Sequence, residues 1–296
     1  MGLGLWSIVV CCLLASSIEP ILVKIGFLGG VSPFLLIVLR MLFAGVSVAL
    51  ICGRSFFQTI SYQTYKKVLP LALLLLLTNS LMITALIYSK PSLVITIITM
   101  TPALVGIVSY ALGFEEIDHK FWVGVICCFL GVLITINAQF GFESLANRGI
   151  ILSSLAVLSS TLYRVLLRRR TKEILPKTIT SYIFINNGLI ALLFLPFVYQ
   201  EITWGVGSIS IWTGLAAVCA NAAFVYAVQQ VGAARMSLID LLQRPLVVIL
   251  SMLMLGEAIT ASQVCGIILV SIGVYLANLG KKSVKIKEIK WALENG

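Results

Sequence analysis

Asp240, Gln243 and Arg244 stand within one helical turn inside a segment otherwise built of Leu, Ile, Val and Met, with Pro245 directly after them. At i, i+3 and i+4 they share one face of a helix. Such a face can hold a polar solute, because a guanidinium grips a carboxylate and an acid receives an ammonium. Glu19-Pro20, Arg40 and Arg164 are further charges set deep in apolar runs. A charged side chain at bilayer depth costs several kcal/mol and faces a bundle interior or a water-filled cavity. The expected chemistry is therefore recognition inside a membrane.

Depth along the helix, at ~1.5 Å per residue, sorts these groups. Glu19 lies about two-thirds of the way into its segment, and Arg40 at a similar depth in the next, which predicts a Glu19–Arg40 ion pair of structural or functional purpose. Asp240 sits at a depth near Arg164. Read alone, Arg164 is one turn from Arg168–Arg170 and snorkels to the surface. Arg244 is too deep to escape and either pairs with Asp240 on its own helix or meets an anionic group of a solute. Asn79, Thr99, Met100, Tyr163 and Asn221 add hydroxyl, amide and thioether groups in neighbouring segments. The candidate substrate-binding set is Glu19, Asn79, Thr99, Met100, Tyr163, Asn221, Asp240, Gln243 and Arg244.

No catalytic or metal-ligating set accompanies them. His119 is the only histidine, and the seven cysteines lie almost wholly in apolar runs without ligand spacing, so they read as small core residues. A nucleophile–base pair and a phosphate loop are both missing, which argues against an enzyme and against a bound cofactor.

The elements that must position these residues follow from composition. The chain has 296 residues, of which 60% are apolar and 11% charged, more apolar material than a soluble domain can cover. Apolar runs of spanning length appear at 5–27, 33–52, 68–88, 92–113, 121–140, 149–167, 178–199, 209–230, 233–255 and 262–279. The first is too long for a signal-peptide core and reads as a span. Ten spans put both termini on one side. That side holds Arg54, Lys66, Lys67, Lys120, Arg168, Arg169, Arg170, Lys172, Lys177, Arg235, Lys281, Lys282, Lys285, Lys287 and Lys290, fifteen basic residues. The other holds three, Lys24, Lys90 and Arg148. Positive-inside bias places both termini in the cytoplasm of a cell (inner or plasma) membrane, and it explains the net charge of +10 without a nucleic-acid partner. The tail at 281–296 alternates Lys with apolar residues, as a lipid-lying or a solvated segment would.

An internal repeat organises the spans. Asn79 and Asn221, Gly124 and Gly266, and Gly131 and Gly273 are each 142 residues apart, and Pro102 precedes Pro245 by 143. Five spans per copy is odd, so the copies enter the membrane in opposite senses. The expected fold is an all-α membrane protein of ten transmembrane helices as two inverted five-helix repeats, at 1–140 and 149–280. The paired glycines, seven apart, permit close helix approach or a homodimer contact. Glu115 and Glu257 read as loop-locking groups.

Ser32-Pro33 followed by Arg40, then Pro102 followed by Gly113, Glu115, Gly124 and Gly131, stand in order in the first half, and Pro245 followed by Gly256-Glu257, Gly266 and Gly273 in the second. Over nearly the whole chain each half resembles the EamA-type domain of the drug/metabolite transporter superfamily. The resemblance implies a central cavity lined by helices 1, 3, 4, 6, 8 and 9, with cargo ranging from amino acids and amines to nucleobases and sugar derivatives. The expected function is a secondary-active or facilitative transporter of a small polar metabolite, an amino acid or similar zwitterion, working by alternating access. Glu19 and Asp240 are the candidates for a coupling proton. Alternatives are a permease for organic cations or lipophilic drugs, and a non-transporting membrane scaffold.

Overall fold

The computed structural model describes residues 3–58, 62–88, 94, 97–98, 100–113, 118–137, 148–171, 173–198, 201–255 and 261–279. The expectations for Glu115, Glu257 and the tail lie outside these residues. All regular elements among them are helical: α1 (Leu3–Leu28), α2 (Pro33–Gln58), α3 (Tyr62–Tyr88), α4 (Thr101–Ala111), α5 (His119–Asn137), α6 (Arg148–Arg170), α7 (Pro176–Phe194), α8 (Trp204–Val231), α9 (Ala233–Ile239), α10 (Gln243–Leu255) and α11 (Ala261–Leu279). Short 3-10 turns follow α7 at Leu195–Phe197 and separate α9 from α10 at Asp240–Leu242. Seven stretches among the described residues are long and apolar enough to cross a membrane, and shorter apolar helices occupy Thr101–Ala111, His119–Gly131 and Val264–Gly273.

The helices are inside-out relative to those of a water-soluble protein. On α6 the outward face carries Ile151, Leu155, Leu158 and Leu162, spaced by three and four residues. Its inward face carries Ser153, Ser159, Thr161 and Tyr163. An apolar exterior is stable only against lipid, and polar groups must then find partners inside. The cysteines divide the same way: Cys12, Cys52 and Cys128 are core residues as expected, whereas Cys11, Cys219 and Cys265 point outward.

Exchanging the two halves maps the packing onto itself. α3 packs on α6 as α1 packs on α8, and α2 packs on α8 as α3 packs on α7. α5 packs on α11 and α2 on α7, each helix against its own counterpart. Glycine permits these last two crossings. A Cβ at Gly131 would sit 2.7 Å from Gly266 O, and one at Gly273 would sit 2.7 Å from Gly124 O. As α5 advances from Gly124 to Gly131, its neighbour therefore retreats from Gly273 to Gly266, and the two helices run antiparallel. Cys128 meets Val270, its repeat mate, through an Sγ–H···O contact of 3.5 Å at the crossing. Likewise a Cβ at Gly45 would lie 2.8 Å from Phe184 O, and one at Gly188 would lie 3.3 Å from Met41 O. The glycine faces of α5 and α11 are thus occupied by each other. This is the close helix approach that the glycine spacing permits.

At one end of the bundle α6 and α8 clasp each other. Arg168 donates through Nη1 to Gln229 O and, at 3.3 Å, to Val228 O, carbonyls in the last turn of α8. In return Gln229 Nε2 donates to Thr171 O and Ile174 O at 2.6 and 2.9 Å, just past the end of α6. Arg168, in the basic cluster after Tyr163, therefore caps backbone groups that a helix end leaves unpaired.

Adding a side chain at the crossings forces backbone apart. Gly131→Val or Gly45→Val should destabilise the protein by about 1–3 kcal/mol, read as a lowered midpoint of thermal unfolding in detergent. Gly205→Ala and Gly207→Ala, with nothing within 4 Å of the new Cβ, should leave that midpoint unchanged.

Candidate functional site

Pro245 decides where α9 stops. Its ring clashes with the carbonyl four residues back, that of Leu241, and it has no amide to donate. The chain accordingly takes a 3-10 turn over Asp240–Leu242 and restarts its α-helix at Gln243. Pro245 then falls in the first turn of α10, where a missing amide is harmless. Its repeat mate Pro102 stands likewise at the start of α4. There the carbonyl it releases, Ile98 O, accepts the Thr101 hydroxyl at 2.7 Å. Both repeats thus interrupt the corresponding helix at the corresponding proline.

The interruption in the second repeat presents Asp240 to α6. Arg164 Nη2 donates to Asp240 Oδ2 at 2.7 Å. Its Nη1 donates to Ser237 Oγ at 3.1 Å and its Nε to Ser160 Oγ at 3.3 Å. The guanidinium carbon lies 4.5 Å from the centre of the Phe224 ring, a cation–π distance. Arg164 therefore turns inward instead of snorkelling, because Asp240 waits at its own depth and two serines orient its remaining donors. The pair is not sealed: 16% of the Arg164 side chain and 17% of the Asp240 side chain stay exposed. Asp240 Oδ1 accepts no hydrogen bond among the described residues.

Two of the sequence candidates meet next to this pair. Asn221 Nδ2 donates to Tyr163 Oη at 2.8 Å, joining α8 to α6. Asn221 Oδ1 is buried without a partner. Asn221 shares a face of α8 with Phe224, and Tyr163 precedes Arg164, so amide, phenol and ion pair form one polar seam. On the α1 side of that seam, the Cys12 thiol donates to Ala220 O at 3.4 Å.

Gln243 takes a different place from the one its helical face suggests. Its Nε2 donates to Ser16 O, the carbonyl that Pro20 deprives of its normal partner, and its own carbonyl accepts from Ser17 Oγ at 3.4 Å. The carbonyl that Pro20 frees within the continuous α1 is thus stitched to the break between α9 and α10. One turn further along α1, Glu19 Oε1 and Arg40 Nη2 form the ion pair expected from their depths. Its side chains are 19% and 4% exposed, and Arg40 Nε is buried unpartnered.

The other candidates stand apart. Asn79 is half-buried in α3 with no hydrogen bond among the described residues. Met100, 43% exposed, borders an apolar cleft of about 220 Å³ between α4, α5 and α9, with Pro102, Phe129, Leu130 and Leu238 among its walls. Thr99 and the side chain of Arg244 lie outside the described residues. Ser237, Ser160 and Phe224 complete the seam without having been singled out, since a serine or phenylalanine in an apolar run carries no spacing signal of its own. Arg164 had one, a depth equal to that of Asp240.

Removing one charge of a partly buried pair strands the other. Asp240→Asn or Arg164→Gln should each lower stability by about 1–3 kcal/mol, less than for a sealed pair because both side chains are partly accessible. In a thermal-unfolding double-mutant cycle, the Arg164→Gln/Asp240→Asn protein should recover most of that loss. Additive losses would show that the two side chains do not interact.

A family model described as the EamA-like transporter family matches residues 3–137 and again residues 147–279. No curated, characterised protein matches the chain as a relative. A solved structure described as "Crystal structure of protein" is similar with a TM-score of 0.76 at 15% identity, covering 93% of this chain and 98% of its own, which shows a shared fold. Two family matches, the lipid-facing apolar exterior and the interrupted helices agree: this is an integral, multi-pass membrane protein of the transmembrane-transport class, and the chain belongs to the EamA-like transporter family.

Proposed function

We propose that the chain folds as ten spans in two inverted repeats and moves a small polar solute by alternating access. The observation that carries this reading is the Arg164–Asp240 pair, held at the junction of α6, α8 and α9 with both side chains still partly accessible. A purely architectural bundle gains little from charges at that depth, whereas a carrier needs them. The antiparallel crossings of α5 with α11 and α2 with α7 support the inverted arrangement, because each joins repeat mates. Interrupted helices at Pro102 and Pro245 support a mid-bundle site, where broken helices present backbone and side-chain groups to cargo.

The solute class best matched is an amino acid or similar zwitterion. Arg164 brings a guanidinium, Asp240 a carboxylate, and Asn221 and Tyr163 uncharged groups beside them. Asn79, Thr99, Met100, Gln243, Arg244 and Glu19 remain part of the proposed set, with Gln243 tying α10 to α1 and Glu19 tying α1 to α2. Both termini face the cytoplasm of a cell membrane, on the charge asymmetry of the loops. Since both candidate proton carriers, Glu19 and Asp240, are paired with arginines, we favour facilitated movement over proton coupling. The apolar cleft beside Met100 favours the second reading, a permease for lipophilic solutes.

Reconstituted vesicles test both. Asp240→Asn should cut amino-acid counterflow at least about tenfold in protein that still elutes as a folded species. Collapsing an imposed proton gradient should leave wild-type accumulation unchanged. Retained counterflow in Asp240→Asn, with loss on Met100→Trp, would favour the lipophile permease.

A further inference from the structure

The Arg164–Asp240 pair has the geometry of a receptor whose two halves occupy each other. Arg164 is held from behind: Ser160 takes Nε, Ser237 takes Nη1, and Phe224 covers one face of the guanidinium plane. Only Nη2 reaches the acid. Asp240 in turn uses only Oδ2, and Oδ1 has no hydrogen-bond partner among the described residues. One hydrogen bond therefore closes the pair, while the groups anchoring the guanidinium do not depend on it.

Resting on the transport reading above, we infer that cargo binds by charge exchange at this pair: its carboxylate takes over Arg164 Nη2 and its ammonium takes over Asp240. Each buried charge trades one opposite charge for another, so neither is left alone. The unpartnered carbonyl oxygen of Asn221, on the α8 face shared with Phe224, is a further acceptor in the same seam. The physical consequence is a selection rule. A molecule carrying both charges opens the pair and compensates both halves. A cation alone leaves Arg164 uncompensated, and an anion alone leaves Asp240 so, each the penalised situation for a charge out of bulk water. Specificity then follows from the presence of both charges together, with side-chain chemistry secondary.

The same logic describes the empty carrier. When cargo leaves, the pair recloses and the seam is again neutral, so the protein can change its facing without solute. Net movement down a gradient, and not only exchange, is the expected transport mode.

The experiment uses wild-type protein in vesicles and in detergent. Thermal shifts and counterflow are measured with leucine, phenylalanine, glutamine and lysine, and with the methyl ester and N-acetyl derivative of each. The expected result is a shift for at least one free amino acid, with its ester and its N-acetyl derivative each weaker on the order of a hundredfold. The charge-swapped protein, Arg164→Asp with Asp240→Arg, should unfold near the wild-type midpoint, since an ion pair is retained, yet lose the shift, because the serines and Phe224 no longer hold a cation. An ester or N-acetyl derivative that binds as well as its parent overturns charge exchange while leaving transport intact. So does a charge-swapped protein that still transports, which would mark the pair as structural. Absence of any shift across the panel also overturns it. If, in addition, vesicles with and without protein take up a labelled polar metabolite extract equally, the transport reading falls with it.

Discussion

A polar group inside a lipid-solvated bundle has no water to fall back on, and nearly every functional feature of this protein follows from that constraint. Proline makes the constraint acute, since it releases a carbonyl in the middle of a span. Pro20 releases Ser16 O, and the amide of Gln243 from a distant helix fills it. Pro102 releases Ile98 O, and Thr101 fills it locally. Pro245 ends α9 in a short 3-10 turn and thereby sets Asp240 opposite Arg164. Interruptions that would destabilise a plain bundle become the means by which polar side chains are placed.

The second structural theme is division of labour between the repeats. The crossings of repeat mates, α5 with α11 and α2 with α7, are made by glycines and bring backbones into contact. These are dense, apolar and symmetric. The charged positions are not symmetric: Glu19–Arg40 joins neighbouring helices of the first repeat, whereas Arg164–Asp240 joins α6 to the interrupted helix of the second. A symmetric frame supports two equivalent facings, and an asymmetric site can still recognise a solute with distinct ends. The clasp between Arg168 and Gln229 ties the ends of α6 and α8, the two helices that carry Tyr163, Arg164, Asn221 and Phe224.

Much of this was legible in the sequence. Periodicity and hydropathy locate the helices because lipid demands long apolar runs, and the repeat is visible because Asn, Gly and Pro recur at one offset. Depth arithmetic finds Glu19–Arg40, since both helices are unbroken there. The same arithmetic places Arg164 level with Asp240 but does not choose between snorkelling and pairing, a choice made by Ser160, Ser237 and Phe224 across three helices. Gln243 looked solute-facing because its helical face is shared with Asp240; only the three-dimensional meeting of α1 with the break between α9 and α10 reveals its tie to Ser16. The glycine faces told of close approach but not of which helix approaches. Position along a helix is a one-dimensional property, whereas the partner on another helix is not.

The most direct test of the account is a solute-bound structure at a resolution that separates the guanidinium from the carboxylate. The account predicts an amino acid lying between Arg164 and Asp240, its carboxylate on Nη2 and its ammonium on the acid, with the direct 2.7 Å contact gone. Cargo found in the apolar cleft beside Met100, with that contact intact, would contradict it.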